Sequence, residues 1–179
     1  MSDNIFSRDW KPRTDNGPKH MGLIAKARRE VDLADHLVYV TLPLVEDIKF
    51  ILAIVDHIYN ASALAIEGSL EQKKYYKKLE AFPRSYGAMT ELWANHIMKD
   101  KFERKHLDFL KRLREVKNSI TTSSMRFKRQ DKYILTNDVY DLKVLDLDTV
   151  KKYLSIAKDF VNISEELISE EDKRQSVVK

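Results

Sequence analysis

The chain has 179 residues, a length that suits one globular domain, and its formal net charge is +4. Hydrophobic residues make up 43% and charged residues 34%, with only four glycines and four prolines, a composition typical of a helical protein and too apolar for a disordered one. The absence of cysteine excludes disulfides, thiolate metal sites and cysteine nucleophiles, and it favours a cytoplasmic location.

Residues 1–21 are polar and contain Pro12, Gly17 and Pro18, so they lack the apolar core of a signal peptide. They are predicted to form a flexible arm. The longest apolar segment, Phe50 to Val55, has six residues, whereas a membrane-spanning helix needs roughly 20. We therefore predict no membrane helix, a single helical domain over residues 22–169 and a disordered tail over residues 170–179.

Apolar residues spaced three and four apart predict the first two helices. In the first helix they run from Ile24 to Thr41, and Pro43 is expected to end it. In the second helix they resume at Leu44. A second stripe widens the apolar face of this helix, which is therefore expected at the centre of the core; it comprises Val45, Leu52, Tyr59 and Ile66.

Three more helices follow with the same spacing. A short one covers Tyr86 to Ile97 and a longer one Phe102 to Ile120. The last helix begins near DLDTVKKY, where Asp146 or Asp148 can cap the free backbone N–H groups. Its buried face is predicted to contain Val150, Leu154, Ala157, Val161, Ser164 and Ile168.

Between Tyr133 and Leu145 the apolar period changes to two, which predicts a small β-hairpin. A two-residue turn at Asn137 and Asp138 would pair Leu135 with Tyr140 and Tyr133 with Leu142. Asn-Asp is a weaker turn signal than Asn-Gly, so an irregular loop is the alternative. The predicted fold is all-α: an up-and-down four-helix bundle with a short extra helix and a small β-hairpin before the last helix.

Two spacings that are used in catalysis or metal binding occur in the sequence. Glu103 and His106 have the Glu-x-x-His spacing of di-iron bundles, but no second copy exists, so His106 is predicted to be a bundle histidine. Asp32 and His36 lie one helical turn apart, a spacing that more often gives a surface contact than a catalytic pair. We predict no catalytic residue, no metal and no cofactor.

Positive charge is concentrated between Lys99 and Lys132, where twelve Lys and Arg face five Asp and Glu. Such a concentration attracts phosphates or an acidic partner surface. The densest part holds Arg126, Lys128 and Arg129, and the hydroxyl residues 121–124 precede it. Phosphate contacts use this mixture of donors. Alternatively, the hydroxyl run only ends a helix and the charges only solubilise a loop.

Four segments follow one another along the chain: KARREVDLADH, the long apolar second helix, RLREVKNSITTSS and VKKYLSIAKDF. This order of elements resembles the HEPN superfamily, the higher eukaryotes and prokaryotes nucleotide-binding domain, and in particular small archaeal HEPN-like proteins. The resemblance covers roughly residues 22–168. It implies a helical bundle that forms a homodimer. In active members, an arginine precedes a histidine by several positions, and two subunits together form a metal-independent ribonuclease site.

The corresponding stretch here, residues 117–122, has Lys117 in place of the arginine, and no histidine follows, so the ribonuclease motif is not intact. Our leading hypothesis is a non-catalytic module that binds RNA or another polyanion. One alternative is a ribonuclease that uses Arg114 with an unorthodox partner, and another is an adaptor whose partner protein supplies the chemistry. The predicted nucleic-acid-binding residues are Arg114, Lys117, Asn118, Arg126, Lys128, Arg129 and Lys132.

Overall fold

The computed structural model describes residues 18–45, 47, 49–98, 101–130, 132–136 and 142–177. This part of the chain is mostly helical, with one small antiparallel sheet, so the predicted mainly helical fold is confirmed. The finer assignment to a HEPN-type four-helix bundle stays a prediction. The helices are α1 (Lys19–His36), α2 (Leu42–Val45), α3 (Phe50–Tyr75), α4 (Tyr86–His96), α5 (Arg104–Thr122) and α6 (Leu147–Val177), and the strands are β1 (Met125–Arg129), β2 (Lys132–Thr136) and β3 (Leu142–Asp146).

The long helix α3 is the centre of the core, as its broad apolar face predicts. Thirteen of its residues are buried, and α1 and α6 both pack against it. The predicted buried face of the last helix is also confirmed, from Val150 to Ile168. One continuous cluster of buried apolar side chains joins these helices to α4, α5 and the inner side of the sheet.

By length and composition alone, α3 is long and apolar enough to cross a membrane. Its best 18-residue window has a mean hydropathy of 1.3, and 44% of that window is buried inside the protein. The core helix of a helical bundle passes the same test, and α3 occupies that position between α1 and α6. The absence of a membrane helix therefore stays a prediction.

The helical path around Pro43 differs from the prediction, because Pro43 does not end the first helix. A π-helical turn, Leu37–Thr41, leads from α1 into α2, which contains the proline, and α3 starts only at Phe50. Because proline has no backbone N–H and its ring crowds the preceding turn, a locally wider helix accommodates it. Leu44 and Val45 were predicted on the buried face of the second helix, yet they are 80% and 54% exposed.

Both ends of the helical domain extend further than predicted. The helix α1 starts at Lys19, inside the predicted arm, and residues 170–177 form the last turns of α6 instead of a disordered tail. Asp172 explains this extension. Its carboxylate accepts hydrogen bonds from Gln72 (2.7 Å) and Tyr76 (2.9 Å), and it lies 3.0 Å from the buried ring of His20. These contacts fix the end of α6 against α1 and α3.

We expect Asp172→Asn to lower the free energy of unfolding by about 1–3 kcal/mol, because the amide leaves some of these buried partners unsatisfied. Burial raises the pKa of Asp172, but hydrogen bonds from Gln72, His20 and Tyr76 outweigh this effect, so the pKa lies below its ordinary value. The contribution is therefore complete above the unfolded-state pKa of about 3.9 and is lost as the pH falls through the lower folded-state pKa.

Urea unfolding near pH 7 and below about pH 3 measures this difference. The gap between the wild type and Asp172→Asn should narrow in acid. Glu166→Gln is the control, since Glu166 is exposed on the same helix and forms no ion pair within the described residues. An equal gap at both pH values would contradict the proposed role of the ionised carboxylate.

The predicted hairpin exists as β2 and β3, but the predicted strand register is wrong. Tyr133 pairs with Leu145 instead of Leu142, and Leu135 pairs with Lys143. The predicted turn residues and Tyr140 lie outside the described residues. A third strand, β1, was not predicted; it pairs antiparallel with β2, which gives the strand order β1-β2-β3.

Candidate nucleic-acid interface

The seven predicted nucleic-acid-binding residues form two groups. Arg114, Lys117 and Asn118 lie on α5, whereas the other four lie on the sheet that follows it. Lys117 contacts α3 and Arg114 contacts α4, whereas Asn118 is exposed. The residues on the sheet are Arg126, Lys128 and Arg129 of β1 and Lys132 of β2.

In the α5 group, Lys117 is matched by the protein's own carboxylate. Its Nζ lies 2.5 Å from Oδ1 of Asp56 and 5.7 Å from the ring centroid of Tyr59. The Tyr59 ring stacks on Tyr86 at a centroid distance of 4.4 Å. Because Asp56 offsets its charge, Lys117 is a weaker candidate for binding phosphate than the sequence suggested.

Arg114 lies over the first turn of α4. A Cβ atom at Gly87 would be 2.5 Å from its Nη1, so the glycine makes room for the guanidinium. Beside it is a cavity of about 160 Å³ that is also lined by Thr90 and Lys111. The Arg114 site therefore offers positive charge and a small cleft.

A ribonuclease site at Arg114 would also need an acid–base group near neutral pH. None of the five histidines forms a hydrogen bond with Arg114, Lys117 or Asn118 within the described residues. Two phenols, Tyr59 and Tyr86, lie nearby. Burial, the largest cause, raises the pKa of both, and the charge of Arg114 opposes this. Neutral phenols with raised pKa values are poor general bases.

The two spacings that suggested metal binding or catalysis have structural roles. His106 is fully buried, accepts a hydrogen bond from the Glu103 backbone N–H (3.0 Å) and lies 3.0 Å from Asp159, which confirms it as a bundle histidine. His36 lies 3.3 Å from the Thr41 hydroxyl. Across the described ranges, no group of three or more His, Asp or Glu side chains is placed to hold a metal ion.

The strand β1 is exposed along its whole length. Arg126 and Lys128 pair with Leu135 and Tyr133, whose side chains are buried, so these two cations lie on the inner side of the sheet. Arg129 lies on the outer side. The Arg126 guanidinium donates to the Ile120 carbonyl at 2.5 Å, which ties β1 to the end of α5.

Within the described residues, none of the three cations of this strand has a carboxylate partner, although Arg126 donates to a backbone carbonyl. Lys128 and Arg129 form no ion pair within the described part of the chain. Lys132 lies opposite Asp146 in the strand register but forms no ion pair with it. Asp146, one of the two predicted caps of α6, accepts from the Thr149 backbone N–H at 2.8 Å. Hydrogen bonding to Thr149 lowers the pKa of Asp146, and the charge of Lys132 adds to this effect. Within the described part of the sheet, β1 therefore carries three exposed cations that no carboxylate offsets.

The apolar outer face of the sheet was not predicted from the sequence. Met125, Phe127, Leu142 and Val144 are 43% to 62% exposed on it. The signal was the alternation of apolar and cationic residues in MRFKR, which is the period of a strand. Phe127 therefore belongs to an exposed sheet face and is more than a spacer between cations.

The chain has no significant match to a protein-family model, to a curated protein or to a solved structure. The resemblance to the HEPN superfamily accordingly stays a prediction.

Proposed function

We propose that the protein is a non-catalytic helical-bundle module that binds RNA or another polyanion through β1. One observation carries the proposal: Lys128 and Arg129 are exposed, lie on an edge strand and have no carboxylate partner among the described residues. By contrast, Lys117 is neutralised by Asp56. Exposed cations without partners are those that can exchange their counterions for phosphates.

The chemistry of these side chains fits phosphate. The Arg129 guanidinium presents a planar fork of N–H donors that matches two phosphate oxygens, and the Lys128 ammonium acts as a compact point charge. Arg126, held at the end of α5, adds a third positive charge to the same strand. A strand that carries three cations in four residues therefore favours a polyanion over a single small anion.

The ribonuclease alternative is less well supported, because no histidine in the described part of the chain forms a hydrogen bond with Arg114. The homodimer, the partner protein and the cytoplasmic location stay predictions. A non-catalytic binding module is compatible with a homodimer, with a partner protein and with a cytoplasmic location.

The test is equilibrium binding of a fluorescent single-stranded RNA, followed by anisotropy. With three phosphate contacts, the plot of log affinity against log salt should have a slope of about −2. Raising the salt from about 50 to about 200 mM should then weaken binding about 20-fold. A methylphosphonate oligomer of the same sequence, which is uncharged, is the control and should not bind. No binding at the lower salt concentration, or an affinity that does not change with salt concentration, would overturn the proposal.

A further inference from the structure

The outer face of the sheet carries a continuous apolar strip that runs across all three strands. Phe127 of β1 pairs with Ile134 of β2, and Ile134 pairs with Val144 of β3, so their side chains share one face. Met125 and Leu142 flank this row at the neighbouring register positions. We call these five residues the outer strip.

The outer strip is open to solvent, and positive charge borders it. Phe127 is 43% and Val144 47% exposed. Arg129 and Lys132 pair with each other at the end of the same face. Lys128 follows Phe127 along the edge strand; it points to the opposite face of the sheet but adds positive charge at the same edge. A ligand that fits this surface must combine flat or apolar groups with negative charge.

We propose that the outer strip and its cationic border bind single-stranded nucleic acid, with one base stacked on the Phe127 ring and a flanking phosphate on Arg129, while Lys128 adds positive charge from the opposite face of the same edge strand. This inference rests on the proposed function and narrows the polyanion to a single strand. Unpaired bases can leave the strand and stack on aromatic side chains, and every base has a suitable face. A duplex keeps its bases stacked inside, so it reaches only the cations.

A second copy of this chain fits the surface less well. If β1 paired antiparallel with β1 of another copy about Phe127, Arg126 of one strand would lie opposite Lys128 of the other. Like charges directly opposite each other destabilise a strand pair. The charge on the strand thus favours an anionic ligand over self-association.

The test compares Phe127→Leu with the wild type on a roughly 12-nucleotide single-stranded RNA and on the duplex of the same sequence. Leucine keeps the apolar character and the charges but removes the aromatic face. We expect the single strand to bind about 5- to 100-fold more weakly and duplex binding to change less than about twofold. The salt slope should stay the same, because no charge is removed. Phe127→Trp is the matched variant and should keep or strengthen single-strand binding.

Other results of this comparison would contradict the stacking inference, the proposed function or both. If Phe127→Leu leaves single-strand binding unchanged, or weakens both ligands equally, the stacking inference fails while the proposed function stands. If the wild type binds neither ligand, both fail. Sedimentation supplies the third readout: a wild-type dimer that becomes a monomer in Phe127→Leu would make the outer strip an interface between copies and overturn the inference. Circular dichroism should show that the variants fold.

Discussion

Phe160→Ala should lower the free energy of unfolding by about 3–5 kcal/mol, the largest single-residue effect on stability that we expect. The ring is fully buried in α6. It makes edge contacts with Trp93 of α4, at a centroid distance of 5.2 Å, and it lies 5.4 Å from Phe102, just before α5. Truncation would leave a cavity where α6, α4 and the residues before α5 meet. This cavity cannot close unless these three segments shift relative to one another.

Phe127→Ala is the matched control for this substitution. It removes the same side chain, but from the exposed outer strip, so the expected loss is roughly 1 kcal/mol or less. Urea unfolding of both variants, followed by circular dichroism, gives the comparison. Similar losses for the two variants would contradict the placement of the aromatic core.

Reversing two charges on β1, in Lys128→Glu/Arg129→Glu, should weaken RNA binding by about 100-fold or more at low salt. The double variant replaces two attractive contacts with two repulsive ones. Both side chains are exposed and have no carboxylate partner in the described ranges, so their replacement breaks no ion pair there. The fold should survive, because surface substitutions of this kind usually change stability by about 0.5 kcal/mol or less.

Lys26→Glu/Arg29→Glu changes the net charge by the same amount and serves as the control. Lys26 and Arg29 are exposed on α1 and form no ion pair among the described residues. Their helix packs near the far end of α6, where His20 meets Asp172, away from the sheet. We expect this pair to change affinity by about threefold or less. Equal losses for both pairs would show that overall charge governs binding, and the assignment to β1 would be wrong.

The buried faces of the helices could be predicted from sequence because the three-four period reports directly which side of a helix leaves water. In α6 every predicted position from Val150 to Ile168 is buried. The end of the same helix could not be predicted in this way. Residues 170–176 are polar, and Asp172 is held by His20 and Gln72, which are 152 and 100 residues away in the chain.

Sequence periodicity was also insufficient to predict the whole sheet. The exposed strand β1 has no buried side, so its five residues give only a short alternation beside a strong charge signal. The register of β2 and β3 depends on the length of their connection, which Asn137 and Asp138 alone did not fix. The prediction that Pro43 ends the first helix was wrong because a π-helical turn accommodates the proline and the chain stays helical.

For the candidate site, the sequence located the cations but not their partners. It grouped Lys117 with Arg129, although Asp56, 61 residues earlier in the chain, neutralises Lys117. Only the three-dimensional structure shows that Lys117 has a carboxylate partner and that Arg129 has none among the described residues. It also places Phe127 beside Ile134 and Val144, and this arrangement suggests a single-stranded ligand.

The most direct measurement is a titration of the ¹⁵N-labelled protein with a single-stranded RNA, read as changes in amide chemical shifts. We predict that the shifted amides cluster on β1 and β2, over Met125–Arg129 and Lys132–Thr136. Shifts confined to the groove at Gly87 and Arg114, or no shifts at all, would contradict the account.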